Sequence, residues 1–318
     1  MTHLSFVIPC YRSAQTLPAV VGEINETLAT ERFAGKYTHE IVLVCDGSPD
    51  NTYEVIKELA AKDGSVRGIN FARNFGQHAA LMAGLRAAKG DIVICLDDDG
   101  QTPANQCDRL IDKVEEGYDA CYASYAHKRH SGVRNAGSKI NERMTRIMLG
   151  KPKELYVSSY FAVKRFVVEE MVRYENAYPY VLGLVLRTTK NIANAPVDHR
   201  ERTVGTTGYT FKTLLGLWFN GFTNFSVKPL RIATFCGGLF AVVGFLYAFW
   251  TIIKHLFIDA NQPMGWTMMM SVLLFIGGVL MLMLGLIGEY IGRIYVSMNA
   301  APQYVIRETT ENASSAGQ

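Results

Sequence analysis

The stretch Asp91-Ile92-Val93-Ile94-Cys95-Leu96-Asp97-Asp98-Asp99-Gly100 decides the fold. Its aliphatic run is short and β-rich, which predicts a buried central strand. Alternation along a strand puts the side chains of Asp97 and Asp99 on one face and Asp98 on the other. Carboxylates bunched at the carboxyl edge of a parallel strand repel each other unless a cation sits between them. That edge is where open α/β sheets bind ligands. A divalent cation carrying a phosphorylated substrate would relieve the repulsion. A solvated acidic turn is the alternative, and the stretch alone leaves both open.

Working outward, strand and helix patterns alternate. Leu4–Ile8 reads as a strand, followed by an amphipathic helix over 16–31. Glu40–Cys45 is a second strand, and the turn Asp46-Gly47-Ser48-Pro49-Asp50-Asn51-Thr52 leads into a helix running to about Lys62, with Asp50 or Asn51 as N-cap. A third strand covers Val66–Phe71, a helix covers Gly76–Lys89, and the aspartate strand follows. Pro103 opens another helix that ends near Gly117, before a strand over Tyr118–Ala123. This order implies an α/β, doubly wound, mainly parallel sheet covered on both faces. Beyond it the pattern predicts a basic helix over 131–150, strands at Tyr156–Val163 and Ile192–Val197, and a helix over Arg165–Tyr174.

The chain has 318 residues, enough for a soluble core and a further unit. A net charge of +3 and the lack of a long Lys/Arg run argue against a nucleic-acid partner. The six cysteines form no CxxC pair and no Cys/His cluster at zinc spacing. Cys10, Cys45, Cys95 and Cys121 fall in or beside strands, where a free thiol is a small hydrophobe, so a reduced, cytosol-facing domain is expected. The amino terminus enters a strand directly, which predicts no cleavable signal peptide.

After Arg231 the solvent changes. Ile232–Ile253 and Trp266–Ile287 contain no charged residue, and each is long enough to cross a hydrocarbon core as a helix. Phe211–Phe225 is aromatic and amphipathic, suited to a membrane interface, with packing on the soluble core as the alternative. Lys228, Arg231 and Arg293 flank the outer ends, which places both termini in the cytoplasm. Gly277, Gly278, Gly288 and Gly292 would allow close helix packing and hence a homo-oligomer. The expected organisation is a catalytic domain over 1–210, an interfacial helix over 211–231, membrane helices over 232–253 and 266–287, and a cytosolic segment over 288–318. The tail after Arg307 is polar and reads as unstructured.

Three further strand ends carry chemistry: Pro9-Cys10-Tyr11-Arg12, Asp46-Gly47-Ser48 and Arg73-Asn74-Phe75-Gly76-Gln77-His78. In a doubly wound sheet all three open on the edge that holds the aspartates. Together they could clasp a nucleotide, with a carboxylate for the base, Arg73 for phosphate and the helix start at Gly76 for anionic oxygens.

These motifs, with Leu96-Asp97-Asp98-Asp99-Gly100-Gln101, resemble the inverting family 2 glycosyltransferases and their GT-A fold. His199-Arg200-Glu201-Arg202, Lys228-Pro229-Leu230-Arg231 and Gly288-Glu289-Tyr290-Ile291-Gly292-Arg293 are similar to the polyprenyl-phosphate sugar transferases. The resemblance implies transfer of a sugar from a nucleotide diphosphate, expected to be a UDP-sugar, to undecaprenyl phosphate. It implies Asp97, Asp99 and Arg202 as catalytic residues, with Asp97 and Asp99 holding Mg²⁺ or Mn²⁺. Pro9, Tyr11, Asp46, Arg73, Gln77, Asp97 and Asp98 would bind the nucleotide sugar. Arg129, Arg134, Ser138, His199, Arg202, Lys228 and Arg231 would meet the lipid phosphate, with a solvated helix face the alternative for Arg129 and Arg134 and interfacial anchoring the alternative for Lys228 and Arg231. A tetramer in the inner membrane, serving lipopolysaccharide or another envelope glycan, completes what the resemblance implies.

Some positions depart from the family pattern. Cys10 stands where a small polar residue or Asn is common, Asp98 where a smaller residue is usual, and Glu154 is the only acid in the stretch 154–161. Two other readings compete. One is transfer to a hydroxyl acceptor, although two membrane helices are few for a polymer channel. The other is a non-catalytic lipid-linked-sugar binding or export component, for which Asp99→Ala would leave function intact.

Overall fold

The computed structural model describes residues 1–125, 151–198, 200, 265–299 and 301–311, with isolated positions at 146, 235, 237, 239, 242, 243, 246, 249, 250 and 253. Two compact units divide the chain: Met1–Leu214 with Ala300–Gln318, and Leu215–Asn299.

The first unit is built on an eight-stranded sheet. Its strands are β1 (Thr2–Cys10), β2 (Tyr37–Cys45), β3 (Val66–Phe71), β4 (Ile92–Cys95), β5 (Ala120–Tyr125), β6 (Phe161–Lys164), β7 (Ile192–Val197) and β8 (Ile306–Thr309), in the spatial order β7-β5-β6-β4-β1-β2-β3-β8. The pairs β1–β2, β1–β4, β2–β3 and β5–β7 are parallel. The pairs β3–β8, β4–β6 and β5–β6 are antiparallel, so the sheet is more mixed than the sequence pattern predicts.

Burial explains why these runs are strands. Leu4, Phe6, Ile8 and Cys10 point to one face, where α1 (Leu17–Leu28), α2 (Thr52–Lys62) and α4 (Cys107–Glu115) cover them. Val7 points to the other face, against α3 (Gln77–Ala87). A β-carbon on Gly84 of α3 would come within 2.3 Å of Val7 Cγ1, so the helix lies close on the strand. Two short helices, α5 (Arg165–Val172) and α6 (Val181–Thr188), join α3 there. Each fully buried aliphatic side chain contributes about 1.5–3 kcal/mol. Cys10, Cys45, Cys95, Cys107 and Cys121 are buried free thiols within this core.

Two elements differ from the sequence expectation. Residues 156–160 do not extend β6, because the Asn194 side chain takes both main-chain groups of Tyr156 and the Ser158 hydroxyl takes the carbonyls of Ala123 and Tyr160. The tail is not without structure after Arg307: Ile306–Thr309 forms β8 on the edge of β3. Three of its four residues are polar, as suits an edge strand that needs main-chain partners more than apolar side chains.

In the second unit, α7 (Trp266–Met298) is a 33-residue helix. Its stretch Phe275–Gly292 has a mean hydropathy of 1.8 and none of it is buried. By length and composition this helix can cross a membrane. The described positions of the segment 232–253 are helical, with Phe235, Leu239, Leu246 and Trp250 exposed. Apart from the helical position 146, the expected helices over 131–150 and 211–225 lie outside the described residues.

Candidate active site

The strands β1, β2 and β3 step outward in one direction while β4 lies on the other side of β1. Open α/β sheets bind ligands at such a reversal, outside the carboxyl ends of the strands. There the four strand-end loops are joined into one rim by hydrogen bonds. The Tyr11 amide donates to Asp98 Oδ2 at 3.0 Å, tying the β1 loop to the aspartates. The Arg12 amide donates to Ser48 Oγ at 2.8 Å, tying β1 to β2. Asp46 accepts the Phe75 amide at 2.7 Å and the Gly76 amide at 2.9 Å, tying β2 to β3. Gln77 Nε2 donates to Asp97 Oδ1 at 2.9 Å, which returns the rim to β4.

Local sequence makes these contacts possible. Gly47 sits at φ +57°, and a β-carbon there would lie 2.3 Å from the Arg73 carbonyl carbon, so only glycine lets the β2 and β3 loops touch. Arg12 adopts φ 58°, the sole positive φ outside glycine among the described residues. Such a conformation costs about 1–3 kcal/mol and collects at functional sites. Asp50 accepts the Ser48 and Thr52 hydroxyls at 2.6 Å each. Burial pushes its pKa upward, but those hydroxyls prevail and hold it below the usual range.

The aspartates diverge as strand alternation suggests. Asp97 faces Gln77 and accepts the Ser159 hydroxyl, whereas Asp98 turns to the β1 loop, where its carbonyl also accepts Thr16 Oγ1 at 2.6 Å. Asp98 therefore fastens β1 to β4. Asp99 Oδ1 accepts the Gln101 amide at 3.1 Å. Burial, then the nearby charges of Asp99 and Asp98, push Asp97 up to about 6, against the pull of its Ser159 and Gln77 hydrogen bonds. Burial likewise raises Asp98 and Asp46.

A cation would relieve this like-charge cluster. Mg²⁺ and Mn²⁺ are commonly held by one or two carboxylates plus substrate phosphates. Among the described residues no group of three or more His, Cys, Asp or Glu side chains could hold an ion. The pair Asp97 and Asp99 is a partial donor set that a phosphate would complete, so the residues fit such an ion. Arg73, on the β3 loop of the same rim, is exposed, its guanidinium 4.1 Å from the Phe75 ring centroid. It offers a cation to phosphate oxygens.

Pro9, Tyr11, Asp46, Arg73, Gln77, Asp97, Asp98 and Asp99 are thus brought to one edge. Arg129, Arg134, Ser138, His199, Arg202, Lys228 and Arg231 lie outside the described residues. Glu154 is exposed, and the position nearby that meets Asp97 is Ser159. Ser159 and the Phe75 platform carry no sequence signal of their own. Ser159 is 62 positions from Asp97, and only the pairing of β6 with β4 brings it there.

The sequence pattern of glycosyl transferase family 2 matches residues 5–172, and that of the GtrB C-terminal hairpin matches 228–294. The chain is 34% identical over 307 residues to the undecaprenyl-phosphate 4-deoxy-4-formamido-L-arabinose transferase of Shewanella sediminis, covering 96% of this chain and 92% of the relative. The Pectobacterium atrosepticum protein of the same name is 35% identical, covering 98% and 95%. Among solved structures, glucosyl-3-phosphoglycerate synthase from Mycobacterium tuberculosis, in complex with Mn²⁺, UDP and glucosyl-3-phosphoglycerate, superposes with a TM-score of 0.50 at 18% identity, covering 68% of this chain and 76% of that one. That last likeness is one of fold.

Proposed function

The chain belongs to glycosyl transferase family 2, and from that premise we propose that it moves a sugar from a nucleoside diphosphate to a polyprenyl phosphate at a membrane surface, with inversion. The observation that carries this reading is the rim of four hydrogen-bonded loops around Asp97 and Asp99. Its full-length relatives are named for transfer to undecaprenyl phosphate, which supports the acceptor class.

The chemistry suits the residues. The bond between the anomeric carbon and the diphosphate oxygen breaks, and an acceptor phosphate oxygen bonds that carbon from the opposite face. The acceptor is already an anion near neutral pH, so no residue need take a proton from it. Asp46 and Gly47 hold the base-side loops, and Arg73 meets the diphosphate. Asp97 and Asp99 would hold Mg²⁺ or Mn²⁺, which stabilises charge on the leaving group. Arg202 and His199, with Arg129, Arg134, Ser138, Lys228 and Arg231, are assigned to the acceptor phosphate. The apolar helix Trp266–Met298 supports anchoring in the inner membrane, and the charges of Lys228, Arg231 and Arg293 flanking the two apolar stretches favour the sheet unit and both termini on the cytoplasmic side. Its glycines suit a homo-oligomer.

The test is incubation of the full chain in detergent with radiolabelled nucleotide sugars, UDP-linked ones first, undecaprenyl phosphate and Mg²⁺ or Mn²⁺. Label entering the organic phase, and lost in Asp99→Ala, is expected. Label appearing only in water-soluble or polymeric material would favour a hydroxyl acceptor. No label across a broad donor panel would overturn the reading.

A further inference from the structure

We propose that the C-terminal segment Gln303–Arg307 is part of the donor site, with Tyr304 as a positioning residue for Arg73; this rests on the donor reading of the Arg73 loop. Three observations carry it.

The first is main-chain pairing. Ala72, the residue before Arg73, has both its groups taken by the segment: its amide donates to the Val305 carbonyl at 2.9 Å, and its carbonyl accepts Arg307 Nη2 at 3.2 Å. The pairing continues down β3, where Phe71 faces Ile306 and Asn70 faces Glu308.

The second is a line of rings. Tyr304 stacks on buried Phe71 with centroids 5.1 Å apart and planes within 6°. Phe71 meets Phe75 edge-on at 5.8 Å, and the Arg73 guanidinium rests on Phe75. Tyr304 therefore backs the platform on which Arg73 lies. Aromatic pairs of this geometry are worth about 0.5–1.5 kcal/mol beyond their buried area.

The third is a bridge across the loop. The Tyr304 hydroxyl accepts Arg86 Nη1 at 2.6 Å. Arg86 belongs to the last turn of α3, the helix that begins just after Gly76. Tyr304 so joins the strand before the Arg73 loop to the helix after it. Its neighbour Gln303, 6% exposed, is fixed by Nε2 hydrogen bonds to the Tyr174 and Asn176 carbonyls at 3.3 and 3.0 Å.

An edge strand that served stability alone would pair with β3 and stop. This one continues to the residue beside Arg73 and underlies its platform. The consequence is that the chain beyond the long apolar helix sets the geometry at which the donor diphosphate is met.

The test uses the full chain in detergent and the equilibrium binding of UDP, or GDP, in MnCl₂. Tyr304→Ala is expected to weaken binding about five- to tenfold, and in an Arg73→Ala background to change it less than about twofold, since the two act through one contact. Tyr304→Phe keeps the stack while losing the Arg86 bridge, and is expected to bind less tightly than the parent but more tightly than Tyr304→Ala. The KM for undecaprenyl phosphate is expected to stay unchanged in all of them. Should Tyr304→Ala fail to fold, Tyr304→Leu keeps apolar volume without the stack and carries the same cycle. Loss of binding in Arg73→Ala but not in Tyr304→Ala, or independent multiplying losses, overturns the proposal and leaves the donor reading standing. A parent chain that binds neither nucleotide overturns the donor reading itself.

Discussion

Replacing Asp46 with Asn separates two roles for this residue. The sequence motif suggests contact with the nucleotide base. The geometry shows both carboxylate oxygens accepting main-chain amides, Phe75 at 2.7 Å and Gly76 at 2.9 Å. Asn keeps the shape but has one oxygen, so one amide would face an NH₂ group. A hydrogen bond to a charged group contributes about 1.5–3 kcal/mol, and a buried donor left facing another donor adds to the loss. The loop is therefore expected to open more readily by a factor of about 10–150. Hydrogen exchange on the nucleotide-free full chain reads this directly, as faster exchange at Phe75 and Gly76 with little change in β1 or β4. Nucleotide affinity is expected to fall about tenfold or more, because ordering the Arg73 loop then opposes binding. Unchanged exchange at those two amides, with affinity still reduced, would refute the structural role and leave only a base contact.

Gly47→Ala is expected to destabilise the sheet unit by at least about 2 kcal/mol and to abolish tight nucleotide binding, since the added β-carbon meets Arg73 backbone at 2.3 Å and φ is positive; thermal unfolding and nucleotide titration check it. His78 is held neutral by burial, its pKa lowered to about 4. The unfolded chain thus binds the extra proton first, and His78 withdraws up to about 1.4 kcal/mol of stability per pH unit as pH falls from about 6.5 towards 4. Asp97, raised to about 6, acts in the opposite sense: it loses stability as pH rises through that range. Chemical unfolding across pH 4 to 7 should accordingly show His78→Leu gaining stability relative to the parent as pH falls, with the Asp97 contribution common to both, and identical slopes would contradict the assignment. Asp99→Asn is expected to lower turnover about 100-fold or more while shifting the Mn²⁺ concentration for half-activity upward. Equal metal dependence in the two proteins would remove Asp99 from the ion site.

Much of the fold is legible locally. β3 begins and ends where the apolar run does, and β1, β2 and α1 differ from expectation only at their ends, because alternation and helical spacing report which side chains are buried. Residues 156–160 mislead because their pattern is strand-like while their main-chain groups are taken by Asn194, a residue 38 positions from Tyr156. The polar segment Ile306–Thr309 misleads in the opposite sense, since its partner is a backbone edge more than 230 positions earlier, as the Asn70 to Glu308 separation of 238 shows. Helix α6 also went unpredicted, a short apolar turn whose burial depends on α3 and α5.

The candidate site divides in the same way. The sequence by itself determined that the four motif-bearing loops share one sheet edge, because strand order places every βα loop at the carboxyl ends. Through the resemblance of its motifs it also pointed to glycosyl transferase family 2, the family to which the chain belongs. Only the tertiary structure decided what each of those residues holds. It showed Asp46 spent on two amides, Asp98 on the β1 loop, Asp97 shared by Gln77 and Ser159, and Tyr304 set behind Phe71. The physical reason is that periodicity records whether a side chain is buried. Its hydrogen-bond partner is chosen by strand register and layer packing, which join residues tens to hundreds of positions apart.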